Sequence, residues 1–244
     1  MELKGKVALV TGGAIRVGRA LVLALAEAGC HLFIHYGRSA LPVRETQADA
    51  GQFGVEAHIY SADLADAAAT QRIVPAAIDR YGRVDILVNN AAIFPEEDTF
   101  RASDLGAWDR LFAINLRAPF LLSQAFAAQI PAGEQGKIIN VLDARLRQPV
   151  PDHFVYRLTK AGLWTMTEML AHELAPHISV NAVALGAILP PPGANSGYLE
   201  DLAQAQIPLK RAGSPQIVAQ NVLHLLRQDF LTGVIIPIDG GQFL

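Results

Sequence analysis

The sequence predicts a doubly wound α/β domain over residues 1–244: one parallel sheet of about seven strands with helices on both faces. Three observations predict it. Apolar runs of strand length alternate with longer stretches of helical period almost from end to end. Those runs are continuously apolar rather than alternating, as strands covered on both faces are. The first run, Val7–Val10, is closed by Thr11-Gly12-Gly13 and passes at once into a helical pattern.

The elements follow in order. After the first strand, Leu21, Ala24, Leu25 and Ala28 recur at helical spacing, and Gly29 ends that helix. A second strand, 30–36, stops at the polar turn Gly37-Arg38-Ser39. A helix, a strand over 55–60, a helix over 65–81 and a strand over 84–89 continue the rhythm. Two long helical patterns, 104–129 and 154–174, flank a buried-type strand at 137–141. The strand 178–184 leads into Pro190-Pro191-Pro192-Gly193, which no helix or strand interior tolerates. A helix over 215–226 and a strand near 234–238 complete the pattern.

Composition excludes several classes of function. Hydrophobic residues make up 51% and charged residues 18%, which a disordered chain does not. A net charge of −3 argues against binding to nucleic acid or to an anionic membrane surface. The longest purely apolar stretches, such as 21–26, fall far short of the roughly 20 residues that span a bilayer. Residues 1–6 run straight into the first strand, so no signal peptide is expected ahead of it. Cys30 is the lone cysteine, leaving no intramolecular disulfide and no cysteine-built zinc site. His153, His172 and His177 lack partners at ligand spacing, so no metal is expected. These features read as a chain of a reducing, cytoplasmic compartment.

In such a sheet, ligands bind beyond the carboxyl ends of the strands, where the first strand-to-helix turn presents backbone N–H groups. That turn reads Thr11-Gly12-Gly13-Ala14-Ile15-Arg16-Val17-Gly18. Gly12 permits a sharp turn and Gly18 lets the helix approach the sheet, as a dinucleotide site requires. Without a ligand, the same glycines would make only a tight turn. The end of the second strand separates the two nicotinamide cofactors, an acid binding the ribose 2′-hydroxyl and an Arg the 2′-phosphate. From 29 to 42 there is no Asp or Glu, but Arg38 is followed by Ser39, a guanidinium and a hydroxyl suited to phosphate. NADPH is favoured. Asp63 and Asn90, at the ends of the third and fourth strands, share that edge and read as cofactor contacts, although both types also serve as turn residues.

Tyr156 and Lys160 stand one helical turn apart on one face. An ammonium there stabilises a phenolate and makes the phenol a better acid near neutral pH. Thr11-Gly12…Gly18, Asn89-Asn90-Ala91, Asn115, Tyr156-x-x-x-Lys160 and Asp239-Gly240-Gly241 together resemble the short-chain dehydrogenase/reductase family, in the family's order. The resemblance implies a Rossmann fold and an enzyme with Tyr156 as proton donor. Lys160 would orient the nicotinamide ribose and lower the tyrosine pKa, and Asn115 would hold a water in the proton relay. Val17, Leu64 and Ala91 would line the cofactor with Gly12, Gly18, Asp63 and Asn90.

Two departures point further. Arg16 stands where the turn usually has its middle glycine, and Asp143 stands thirteen residues before Tyr156, where a serine usually bonds a substrate carbonyl. A carboxylate repels a developing oxyanion. Protonated, or facing a heterocycle with N–H donors, it becomes useful, which moves the substrate from C=O toward C=N. This combination resembles pteridine reductases, as does His35-Tyr36-Gly37-Arg38-Ser39-Ala40, with Gly37 where another His is expected. That resemblance implies His35, Arg38 and Ser39 on the cofactor, the last two at its 2′-phosphate. It implies Arg16 near the pyrophosphate and the pterin, and Asp143 beside Tyr156 in proton delivery. Phe94 would sandwich a pterin against the nicotinamide. Leu185-Gly186 replaces the usual Pro-Gly, and the proline run after it would stiffen one wall of the pocket.

Three functions are compatible with these residues. The first is NADPH-dependent reduction of a dihydropterin or dihydrofolate-like ring. The second is a carbonyl reductase of the 3-oxoacyl thioester type, disfavoured by the missing serine. The third is a nucleotide-sensing module without catalysis, which could dispense with Tyr156, Lys160 and Asn115. The family resemblance also implies a homotetramer packed through the two long helices. Their apolar residues Phe112, Leu121, Leu122, Phe126, Leu163, Trp164 and Met166 suffice for a core face and a second contact, which the period does not separate.

Overall fold

A computed structural model describes the chain apart from residues 96, 97, 132, 149, 150 and 192, so Pro192 of the proline run lies outside the described residues. Strands β1 (Val7–Val10), β2 (His31–Tyr36), β3 (Ala57–Ser61), β4 (Ile86–Asn89), β5 (Gly136–Asp143), β6 (Ile178–Leu185) and β7 (Ile235–Ile238) form one sheet. All pairings are parallel, in the order β3-β2-β1-β4-β5-β6-β7. The helices are α1 (Arg16–Glu27), α2 (Ala40–Gly51), α3 (Ala67–Gln71), α4 (Ile73–Tyr81), α5 (Leu105–Phe112), α6 (Ala118–Ala128), α7 (Phe154–Glu173), α8 (Tyr198–Gln206) and α9 (Pro215–Arg227).

The apolar strands are continuous because both faces are buried. Ala8 and Val10 of β1, Leu32 and Ile34 of β2, and Ile86 and Val88 of β4 join Leu21, Leu25, Val218 and Val222 of α1 and α9 on one face. The intervening Leu9, Phe33 and Leu87 pack against Ile73, Ala77, Leu122 and Phe126 of α4 and α6 on the other. Between β1 and β4 the order of strands reverses, which opens a crevice at their carboxyl edge.

Several elements differ from expectation. The predicted helix 65–81 breaks at Arg72 into α3, capped by Asp66 through Ala68 N–H (2.8 Å) and Ala69 N–H (3.1 Å), and α4, whose Pro75 has no N–H to offer the Gln71 carbonyl. The predicted helix 104–129 carries a π-helical turn, Ala113–Arg117, between α5 and α6. By length and hydropathy (1.3) its run Leu105–Ala128 could cross a membrane, but half of that window is buried within the fold, as in a core helix. Strand β5 runs two residues past the predicted end, to Asp143, because β6 pairs it there with Leu185. Helix α8 is absent from the elements read from the sequence, although Leu199, Leu202, Ala203 and Ile207 recur at helical spacing around it.

Candidate active site

The crevice is built first from backbone. Gly12 has φ +63, and a Cβ on it would lie 3.0 Å from Ala91 Cα. A Cβ on Gly18 would collide with the Gly12 carbonyl oxygen and come within 2.8 Å of Asn90 Nδ2. Glycine at both positions therefore lets β1, α1 and the end of β4 meet. The Asn90 amide donates to the carbonyls of Thr11 (2.8 Å) and Gly12 (3.1 Å), while the Thr11 hydroxyl accepts from Asn90 N–H and Ala91 N–H, both at 3.0 Å. Asn90 thus shapes the turn as well as lining it. Helix α1 starts without a side-chain cap, so its first N–H groups face the cleft for an anion to meet.

His35 braces the same turn. Gly12 N–H donates to its Nδ1 at 3.3 Å, and its Nε2 lies 3.0 Å from the Ala62 carbonyl. That pair of bonds calls for a neutral ring protonated on Nε2. Burial pushes the His35 pKa below its ordinary value, against the Ala62 carbonyl and the Asp63 charge, which raise it. With both nitrogens engaged, His35 braces the turn while lining the cleft. Arg16 keeps the left-handed backbone of the glycine it replaces (φ +56), which costs a residue with a side chain about 1–2 kcal/mol. Its Nη2 donates to the Pro190 carbonyl at 2.9 Å, tying the glycine turn to the loop after β6. Arg38 is exposed at the mouth, and Ser39 precedes α2 with its hydroxyl making no capping bond. Asp63 caps its own turn through Ala65 N–H (3.0 Å) and stands 3.7 Å from Arg110 Nη1.

The cleft encloses about 860 Å³. Gly12, Arg16, Val17, Gly18, His35, Arg38, Ser39, Asp63, Leu64, Asn90, Ala91, Asp143, Tyr156 and Lys160 all line it. Its residues fit a dinucleotide with a 2′-phosphate: a glycine cradle at an uncapped helix start, and a cation and hydroxyl at the second-strand turn with no carboxylate between residues 29 and 42.

At the far end of the cleft, Asp143 Oδ1 accepts from Arg145 N–H at 2.8 Å, capping the 3₁₀ turn Ala144–Arg147. Its Oδ2 accepts from the Tyr156 hydroxyl at 3.2 Å. Lys160 Nζ donates to the Val141 carbonyl at 2.8 Å and lies 6.0 Å from the centre of the Tyr156 ring. Tyr156 is 7% exposed and Lys160 3%. Burial, and then the charge and hydrogen bond of Asp143, push the Tyr156 pKa well above its ordinary value, with Arg145 pulling it down. Burial brings Lys160 down to about 8, with the Asp143 carboxylate holding it up. Lys160 is expected to lower the phenol pKa, but burial first and Asp143 second act the other way, so that Tyr156 holds its proton.

Two further expected site residues make contacts across the chain that spacing does not show. Asn115 is fully buried in the π-helical turn. Its Oδ1 accepts from Ile93 N–H (2.9 Å), and its Nδ2 donates to the Ile93 carbonyl (3.0 Å) and to Thr159 Oγ1 (3.3 Å). Its side chain therefore locks the segment after β4 to α7. Phe94 is stacked on His153, with ring centres 4.2 Å apart, and meets Tyr156 edge-on at 4.8 Å. The imidazole covers one face of the ring, and Phe94 remains 49% exposed.

Sequence reasoning missed three neighbours of Tyr156. His153, taken as a helix-start residue, does start α7 but also covers Phe94. The guanidinium of Arg145 lies 5.7 Å from the Phe94 ring centre and opposes Asp143 at Tyr156. Asp98, in the connection from β4 to α5, accepts from Tyr156 N–H at 2.7 Å. Of the three, Asp98 lies 58 residues from Tyr156, beyond any short-range spacing.

A tyrosine and a lysine one turn apart at the open end of a dinucleotide cleft define an oxidoreductase on a Rossmann sheet. A family model of short chain dehydrogenases matches residues 6–197. The chain belongs to the short-chain dehydrogenase/reductase family. It is 36% identical over 253 residues to L-xylulose reductase of Bos taurus, covering 99% of this chain and 98% of that protein. It is 35% identical over 249 residues to the 3-oxoacyl-acyl-carrier-protein reductase FabG of Aquifex aeolicus, covering 100% and 99%. Among solved structures, FolM alternative dihydrofolate reductase 1 from Brucella canis, complexed with NADP, is 35% identical with a TM-score of 0.92. That match covers 100% of this chain and 96% of the Brucella canis chain.

Proposed function

We propose that this protein is an NADPH-dependent reductase of a C=N bond in a dihydropterin or dihydrofolate-like ring. One observation carries the reading: Asp143 Oδ2 stands 3.2 Å from the Tyr156 hydroxyl, at the position where a carbonyl reductase of this family keeps a serine. The likeness to the Brucella canis dihydrofolate reductase supports it. Arg38, Ser39 and the first N–H groups of α2 would hold the 2′-phosphate, and the start of α1 the pyrophosphate. NADPH, when bound, supplies the hydride.

The chain's own residues position the ring and move the proton. Lys160, steadied by the Val141 carbonyl, orients the ribose. The Asp143 carboxylate accepts from N–H donors of the ring, which a ketone does not offer. Tyr156 keeps its proton at neutral pH and releases it from Oη to a ring nitrogen as negative charge develops there. The Lys160 ammonium and the Arg145 guanidinium offset the charge left on the phenol oxygen until solvent restores the proton.

Following NADPH oxidation with dihydrobiopterin, dihydrofolate and an acetoacetyl thioester in parallel, with NADH as control, tests this. The expected result is turnover of a pterin or folate with NADPH alone. Turnover of the thioester alone overturns it and leaves the carbonyl reductase reading, which the identity to the Aquifex aeolicus enzyme favours. Silence on all three with NADPH still bound would favour the sensor reading.

We read residues 1–244 as one domain in a cytoplasmic setting and as a protomer of a homotetramer. Of the apolar residues on the long helices, Leu122, Phe126 and Leu163 pack in the core. Phe112, Leu116, Phe120, Met166 and Met169 line an outer groove of about 1140 Å³ beside α5, α6 and α7. Light scattering on the purified protein checks the copy number.

A further inference from the structure

Helix α7 begins without a cap of its own. His153 precedes it in a left-handed conformation (φ +46), and its side chain makes no capping bond. The cap arrives from elsewhere. Asp98 Oδ1 accepts from Val155 N–H at 3.0 Å and Oδ2 from Tyr156 N–H at 2.7 Å, while the Asp98 carbonyl accepts from Phe154 N–H at 2.8 Å. The Ser103 hydroxyl donates to Oδ1 at 2.7 Å. Asp98 is only 5% exposed, and a carboxylate so buried persists only where donors meet it. Burial alone would raise its pKa. The bonds from Tyr156 N–H, Ser103 and Val155 N–H outweigh that and hold it below the ordinary carboxylate range, so it stays charged. Its charge also sits at the positive end of α7.

We propose that Asp98 is a positioning residue that fixes the backbone of Tyr156, so that docking of the connection between β4 and α5 becomes a condition for an active proton donor. The inference rests on Tyr156 being that donor. The same connection holds the first turn of α7 at two more points. Phe94 meets the Tyr156 ring edge-on, and Phe100 meets Phe154 with ring centres 5.3 Å apart. A cap usually comes from the residue next to its helix. This one spans 58 positions of sequence, and therefore ties a loop at the rim of the cleft to the reacting phenol.

The test compares wild type, D98A, D98N, Y156F and the D98N/Y156F double variant, with NADPH and both dihydrobiopterin and the acetoacetyl thioester. D98A is expected to lower kcat on the order of 10- to 100-fold, as a misplaced acid does. The dissociation constant of NADPH, read by its fluorescence, should stay within about twofold of wild type. D98N keeps one acceptor oxygen and should recover part of the rate, yet add no further loss to Y156F. An unchanged kcat in folded D98A or D98N overturns the proposal, as does an equal proportional loss in the Y156F background. If Y156F alone is as active as wild type, the proton-donor reading fails instead. Hydrogen exchange at Val155 and Tyr156 needs no substrate: protection lost in D98A is expected, and unchanged protection contradicts the proposal.

Discussion

On the β1–β3 side of the cleft, backbone meets backbone. Gly12, Gly18 and the end of β4 approach until no Cβ fits, and Thr11, Asn90 and His35 spend their polar atoms holding that turn. On the β4–β6 side, side chains of opposed charge meet: Asp143 faces Tyr156, Lys160 lies a turn away, and Arg145 opposes Asp143. The first side is sensitive to added volume and the second to altered charge. Changes in the first should therefore appear in cofactor binding, and changes in the second in rate.

The largest effect separates the two at once. Y156F should lower kcat on the order of 10²- to 10⁴-fold while NADPH still binds normally in a fluorescence titration. A parallel loss of binding would break the division. Next, G18A should weaken NADPH binding on the order of 10- to 100-fold, since overpacking costs about 1–3 kcal/mol. Its kcat at saturating NADPH should change far less, and normal binding by G18A would contradict the backbone account. R38A should weaken NADPH binding about tenfold and leave NADH binding unchanged, because the lost contact is charge-assisted. Equal losses for both cofactors would remove Arg38 from the 2′-phosphate.

The smallest effect sharpens the charged side. Lys160 titrates at about 8 and is an ammonium below that value, so kcat/KM for NADPH should fall as pH rises through about 8. Asp143 holds that pKa up, so removing its charge in D143N should move the alkaline limb to lower pH. A limb that stays or moves upward would show that Asp143 does not act on Lys160.

How legible each side is follows from the same contrast. The glycine turn and the Tyr156–Lys160 pair are local: a strand end, a turn and a helix face, each fixed by a few residues of spacing. Asp143 was identified as a departure at a fixed distance from Tyr156. Asp98 carries no signal in its spacing, because its partners are far along the chain. Phe94 carries a resemblance to a pterin-stacking aromatic, whereas its stacking on His153 joins two distant segments. The π-helical turn that buries Asn115 leaves the apolar period of its helix intact, so nothing in the sequence marks it. What depends on contact between distant segments was not readable from spacing.

The central claim is that a carboxylate on a tyrosine–lysine frame selects C=N over C=O. Steady-state turnover of dihydrobiopterin and of the acetoacetyl thioester, by wild type and D143S with NADPH, tests it most directly. Wild type should favour the pterin, and D143S should lose pterin turnover by about tenfold or more while gaining on the thioester. Undiminished pterin reduction by D143S would contradict the claim.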